Sequence, residues 1–272
     1  MLDCFGKPRA GRDAALHALP TLREWLREEP FTLTMSSGFF AFYAHTGFLS
    51  VLEDEGLVPV RVSGSSAGAL VAGTWAAGVS AAALWQDLLA IQRRDFWDPR
   101  WGWGFLAGQR FQERLAAMLP VHTFEACRSP LAVSLFDVST RKTVVRTTGP
   151  LTETLRASCA VPLLFHPVRV EGRFYLDGGV ADRPGLAGVP DAARTLYHHI
   201  ESRSAWRNQD AMKIPSRPNM RTLVLEKLPR SGPFKLENGR LALHAARMQT
   251  RRALDEKLHG AIVRAGGAAG SQ

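Results

Sequence analysis

From residue 31 onward, the apolar positions fall into blocks whose period switches between strand and helix. Phe31 to Met35 is a short β-prone run that meets Ser36-Ser37-Gly38, and Ala44 to Gly56 then places Phe48, Leu49 and Leu52 at helical spacing. The same order of strand, tight turn and helix repeats at once. Leu57 to Val62 reads as an apolar strand without alternation, Ser63-Gly64-Ser65-Ser66 as the turn, and Ala67 to Ala77 as a small-residue helix closed by Gly78. Two successive units of this kind predict a parallel sheet covered on both faces, hence an α/β fold. Before them, Ala14, Leu16, Leu19, Leu22, Trp25 and Leu26 recur at helical spacing over residues 13–28, ended before Pro30. Residues 1–30 are thus expected to form a helical extension, and 31–272 a single α/β domain.

Further along, Trp97 to Gly104 (WDPRWGWG) gathers three tryptophans among Gly and Pro and reads as a loop, followed by a helix near Arg110 to Leu119. Its indoles fit either a loop pinned to the core or a lid or interfacial anchor, because Trp favours the headgroup level of membranes. Pro130 to Phe136 and Thr143 to Arg146 resemble paired strands, Thr152 to Ser158 a short helix, and Val168 to Val170 with Phe174 to Leu176 a hairpin. Ser202 to Asn219 is polar and aperiodic, a loop before the strand Thr222 to Leu225, and Lys235 to Val263 reads as a long final helix.

Composition narrows this picture. A chain of 272 residues, 46% hydrophobic, can bury one core of ordinary size. Cys4, Cys127 and Cys159 are odd in number and irregularly spaced, which suits neither a disulfide framework nor a zinc site and points to a reducing compartment. The first residues lack the continuous apolar stretch of a secretory leader, and no run of about 18 apolar residues occurs to span a bilayer. Net charge is +9, from 34 Lys plus Arg against 25 Asp plus Glu, which favours anionic partners. The basic residues are dispersed and no zinc-finger or RNA-binding aromatic motif is present, which argues against nucleic acid. In the expected final helix, Leu243, Ala246, Leu254, Leu258, Ala261 and Ile262 form an apolar face, while Arg240, His244, Arg247 and Arg251 line one stripe. That stripe is either an ordinary solvated face or a surface for anionic phospholipid.

The chemistry concentrates in two short segments. Gly64-Ser65-Ser66-Ala67-Gly68 is G-x-S-x-G, in which small residues let a serine project from a sharp strand-to-helix turn. In isolation such a turn equally fits a helix cap; the flanking strand and helix favour a nucleophile, with helix N–H groups placed to meet a developing anion. A base is then required. His122, His166, His198, His199, His244 and His259 follow Ser66, and none lies in a Gly-rich loop after a strand. Asp177-Gly178-Gly179 does, directly after Phe174 to Leu176, where two glycines let the backbone turn and leave the carboxylate accessible; an Asx turn is the plainer alternative.

VSGSSAGALVAGTWAAG, RASCAVPLLFHPV, FYLDGGVADRP and LTMSSGFFAFYAHTGFLSVLEDEGL resemble, in order and approximate spacing, the patatin-like phospholipases over about residues 31–185. The resemblance implies a three-layer α/β/α fold and cleavage of acyl esters of phospholipids or glycerolipids. It implies a dyad without histidine: Ser66 as nucleophile and Asp177 as base, supported by Gly64, Gly68, Gly178 and Gly179, with no cofactor and no metal. Cysteine usage and the lack of a leader-like or spanning run lead to the expectation of a cytoplasmic protein, peripheral at membranes or lipid droplets. The segment from Arg156 to Pro167, with Ala157, Ser158 and Pro162, corresponds to a structural stretch beneath the site. A carboxylate of ordinary pKa about 3.9 is a poor base for a hydroxyl, so Asp177 is expected to be partly desolvated. The family's G-G-G-x-R/K-G loop corresponds to Ser37-Gly38-Phe39-Phe40-Ala41-Phe42, which keeps only the middle glycine. Gly38 and Phe39 are the expected oxyanion donors. Losing one such donor typically costs about 100- to 1000-fold in rate. The same machinery also fits an acyltransferase or thioesterase, and the altered loop a catalytically weak lipid-binding protein.

Overall fold

A computed structural model describes residues 19–201 and 213–266. Residues 13–18 of the expected N-terminal helix and 202–212 of the expected loop lie outside that range. The helix α1 (Leu22–Glu28) is capped by Thr21, whose hydroxyl and backbone exchange hydrogen bonds with Glu24. It buries Leu22, Trp25 and Leu26 in the main core, and the chain flanking it pairs with Glu256 and Leu258.

The sheet runs in the order β11-β10-β9-β1-β2-β4-β8-β7, with β5 also paired to β4. Its members are β1 (Thr32–Met35), β2 (Arg61–Ser65), β4 (Leu131–Asp137), β5 (Lys142–Arg146), β7 (Val168–Val170), β8 (Arg173–Asp177), β9 (Thr195–His199), β10 (Met220–Leu225) and β11 (Ile262–Ala265). From β11 to β4 every neighbouring pair is parallel, while β5, β7 and β8 are antiparallel additions. The central strands are buried on both faces by surrounding helices, as the expected α/β fold requires. Around them pack α2 (Phe42–Asp54), α3 (Ala67–Ala76), α4 (Ala81–Ala90), α5 (Gln109–Met118), α6 (Leu151–Ser158) and α7 (Leu236–Leu254). A separate two-stranded ribbon joins β3 (Gly104–Leu106) to β6 (Leu163–Phe165).

Three expectations change. The second strand begins at Arg61, so Ser63, Gly64 and Ser65 belong to it and pair with Thr34, Met35 and β4. Pro59 lacks an N–H to give a ladder, and Val58 and Val60 stay exposed, so the apolar run from Leu57 is a lead-in. The final helix stops at Leu254, and Ile262–Ala265 becomes an edge strand on β10 whose exposed and buried residues alternate with period two. Arg247 and Arg251 of α7 fold back on Asp54 of α2, and His244 meets the Trp85 ring edge-on. Finally, the loop of residues 97–104 is not pinned to the core by all its indoles: Trp97 is half-buried, whereas Trp101 and Trp103 project into solvent.

Behind β1 lies a buried histidine group. His45 of α2 donates through Nε2–H to the Ser36 carbonyl at 2.8 Å, which leaves its Nδ1 to accept from His198 Nδ1–H at 2.9 Å. His198 Nε2 is then a bare acceptor, without a partner among the described residues. His199 Nδ1 meets the Tyr197 hydroxyl at 2.8 Å. Burial pushes His45 down to about 4 and His199 to about 3, and His198 well below the usual range. All three are neutral in the folded protein at neutral pH. The unfolded chain protonates them near pH 6.5, so between that value and about 4 it holds more protons than the folded one. Stability is therefore full above pH 6.5 and falls on acidification, by roughly 1.4 kcal/mol per pH unit for each histidine. Denaturant midpoints measured from pH 7 to 4 should show this slope, and a His45→Gln variant should show a shallower one.

Candidate active site

Ser66 occupies the junction of β2 and α3 with φ 53° and ψ −122°, a conformation that non-glycine residues rarely adopt. Packing enforces it. A Cβ on Gly68 would lie 2.0 Å from the Met35 carbonyl oxygen, and one on Gly64 2.5 Å from the Gly68 backbone. The chain must therefore turn directly from strand to helix, and α3 starts with the Leu70 N–H on the Ser66 carbonyl at 2.9 Å. The Ser66 N–H donates to Ser158 Oγ at 2.9 Å, and the Ser158 hydroxyl donates onward to the Ser134 carbonyl at 2.8 Å. Thus Ser158, at the end of α6, holds the nucleophile candidate's backbone.

Sheet register delivers Asp177. Ser65 of β2 pairs with Ser134 of β4, and the next β4 residue, Leu135, pairs with Asp177. One step past Ser65, the Ser66 hydroxyl donates to Asp177 Oδ2 at 2.5 Å, while Oδ1 accepts the Gly179 N–H at 2.7 Å. Both residues are buried. Gly178 and Gly179 do not need left-handed backbone, contrary to the turning freedom expected of them. They need space: a Cβ would meet the Ser134 carbonyl oxygen at 2.0 Å and Ser37 Oγ at 2.4 Å. Nearby Asp182 accepts the N–H groups of Gly185, Leu186 and Ala187 and the Ser134 hydroxyl, fixing the chain after Asp177.

The loop between β1 and α2 starts from a fixed point. Ser36 donates its N–H to the His198 carbonyl, accepts His45 on its own carbonyl and accepts the Ile200 N–H on its hydroxyl. His198 therefore braces this loop from behind the sheet, and among the described residues no histidine lines the cavity described next. Positive φ falls on Phe40 (57°), not on Phe39. Its ring meets those of Phe39, Phe42 and Phe96 at 4.9, 5.2 and 5.7 Å. Such aromatic pairs contribute about 0.5–1.5 kcal/mol each, enough to offset a left-handed penalty of roughly 1–2 kcal/mol.

Ser66 and Asp177 open on a cavity of about 540 Å³, which Gly38, Phe39 and Ala67 also line. Its further walls are apolar, with Leu70, Leu88, Phe96, Leu115, Met118 and Phe165 among them. Polar groups there are Ser37 and an ion pair, Arg114 to Asp87 at 2.7 Å. Cys159 lines the same space, and burial together with the Asp177 charge holds its thiol well above the usual range. A hydroxyl already donating to a carboxylate can pass on its proton as it attacks, and an apolar chamber of this size suits a long aliphatic group. Among the described residues no group of three or more His, Cys, Asp or Glu could hold a metal ion.

The family model for patatin-like phospholipases matches residues 33–188. Uncharacterized NTE family proteins of Mycobacterium tuberculosis and Mycobacterium bovis are 31% identical to this chain over 206 residues, 73% of it and 55% of each of them. The chain thus spans about half the length of the curated relatives it matches. The crystal structure of VipD from Legionella pneumophila superposes with TM-score 0.63 at 15% identity, over 84% of this chain and 67% of that one, a likeness of fold. The family match runs over more than half of the residues, from β1 past the turn after β8, and the chain belongs to the patatin-like phospholipase family.

Proposed function

We propose that this chain is a lipid acyl hydrolase in which Ser66 attacks the ester carbonyl and Asp177 is the general base. The observation that carries the reading is the 2.5 Å hydrogen bond from the Ser66 hydroxyl to Asp177 at the mouth of a largely apolar cavity. As Ser66 Oγ bonds to the carbonyl carbon, its proton moves to Asp177 Oδ2 and then to the departing alcohol or lysolipid oxygen. Water, losing a proton to the same carboxylate, attacks the acyl carbon, and that proton passes to Ser66 Oγ as the acyl–serine bond breaks and the fatty acid leaves. The cavity takes the acyl chain.

The oxyanion is assigned to the N–H groups of Gly38 and Phe39, which have no protein acceptor among the described residues. The N–H of Ala67, in the first turn of α3, adds a donor backed by the helix dipole. This third donor offsets a loop that has lost most of its glycines. The Ser158 hydroxyl serves by position: it holds the Ser66 backbone in its strained conformation.

Turnover of a short-chain p-nitrophenyl ester tests the reading. Ser66→Ala and Asp177→Asn should each lower kcat by roughly 10⁴-fold or more, by similar amounts, because the two act as one unit. A fluorophosphonate should label the native chain and leave Ser66→Ala unlabelled; labelling elsewhere, or full turnover by Asp177→Asn, overturns the assignment. Ser158→Ala should lower kcat with little change in KM. It should also lower stability by about 1–3 kcal/mol, read from the denaturant midpoint, because a buried N–H loses its acceptor.

A further inference from the structure

The segments that line the cavity on one side leave their other side chains in water. Trp97, Leu106, Leu164 and Phe165 face inward, whereas Trp101 is 100% exposed, Trp103 83% and Leu163 79%, with Phe105 about half exposed. The β3–β6 ladder sets Gly104 opposite Leu163, and Phe105 stands 5.7 Å from the Trp97 ring, so these groups form one face beside the mouth. Phe234, 5.4 Å from Trp97, and Phe39 extend it toward Ser66.

This face is built rather than loose. The Arg100 N–H meets the Phe105 carbonyl and the Ala107 N–H the Asp98 carbonyl, both at 3.0 Å, closing a hairpin with Trp101 and Trp103 at its tip. His166 fastens the tip through the Arg100 carbonyl at 3.1 Å and packs where a Gly102 side chain would stand. Leu163 holds φ 68°, a strained conformation, and leaves its apolar side chain in solvent.

Charge is sorted in the same segment. Over residues 92–112 both carboxylates turn inward: Asp95 engages Arg114 and the Gln92 N–H, and Asp98 caps α5 at Gly108, Gln109 and Arg110. Arg93, Arg94, Arg100 and Arg110 are exposed, without a carboxylate partner among the described residues; Glu113, next on α5, is the nearest exposed acid in sequence. We infer that Trp101, Trp103, Phe105 and Leu163, rimmed by these arginines, dock the protein on an anionic phospholipid bilayer with the cavity mouth toward the lipid. Indoles suit the headgroup depth and guanidinium groups the phosphates. A second copy of this chain would instead bring two basic rims together.

The orientation rests on the hydrolase reading, but binding is measured apart from it, on Ser66→Ala protein with vesicles sedimented or followed by tryptophan fluorescence. On phosphatidylcholine–phosphatidylserine vesicles, Trp101→Ala with Trp103→Ala should weaken partition by about tenfold or more. Arg94→Gln with Arg100→Gln should weaken it about thirtyfold, from about fivefold per arginine, and should not alter the weaker binding to pure phosphatidylcholine. Arg247→Gln with Arg251→Gln on α7 should change neither. Undiminished binding by both the Trp and Arg94/Arg100 pairs, binding lost through the α7 pair, or a stable dimer abolished by the Trp pair would each overturn the proposal. Soluble-ester turnover, measured with Ser66 present, should be native in the Trp pair. A native chain inert on that ester while vesicle binding behaves as stated would refute the hydrolase reading alone.

Discussion

The carboxyl end of β1 runs so close to the start of α3 that only hydrogen fits between the Met35 carbonyl oxygen and Gly68 Cα. This contact forces β2 to turn into α3 without an intervening loop, places Ser66 in its rare backbone conformation and brings the loop after β1 to the same sheet edge. Parallel pairing of β1 with β2 makes their carboxyl ends coincide, the position where open α/β sheets gather their functional loops. Asp177 arrives from the opposite direction, on an antiparallel strand whose register with β4 stops it beside Ser66. Geometry at the site is thus an outcome of strand register on three strands, not of a flexible loop.

Local chemistry made much of this legible in the sequence. The glycines of G-x-S-x-G and D-G-G mark places where backbone meets backbone, and such places leave a compositional trace. What escaped depends on tertiary partners. Ser158 falls in the stretch that the family resemblance sets beneath the site, but its role does not show in the sequence: only the approach of α6 to β2 turns its hydroxyl toward the Ser66 N–H. The short β-like run that ends at His198 and His199 carries no sign of its neighbour, and only the fold sets β9 beside β1 in the sheet. Ile262 and Val263 fit the end of the expected helix because a run as short as Ile262–Ala265 does not fix a period. Its true period shows only once β10 offers an edge.

Of the six non-glycine residues with left-handed φ among the described residues, three stand near the cavity, and Arg141, Glu171 and Lys227 lie elsewhere. Ser66, Phe40 and Leu163 all hold left-handed φ without being glycine. The first two are over-determined by neighbours, Ser66 by hydrogen bonds and glycine contacts, Phe40 by aromatic rings. The pair His45 and His198 supports the same region from behind, trading an unsatisfied imidazole nitrogen for a rigid Ser36. A core that accepts these penalties around one edge of its sheet holds a preset geometry there.

The placement of Cys159 bears on reagent selectivity. Its sulfur lines the same chamber as Ser66, yet burial and the Asp177 carboxylate keep it in the thiol form. Thiolate, not thiol, reacts with maleimides and iodoacetamide. Cys127, the other described cysteine, is also shifted toward the thiol by burial. Alkylating agents at neutral pH should therefore react slowly with the chamber's sulfur, while phosphonylating agents meet a hydroxyl hydrogen-bonded to a carboxylate, so the two reagent classes should distinguish neighbouring side chains in one cavity.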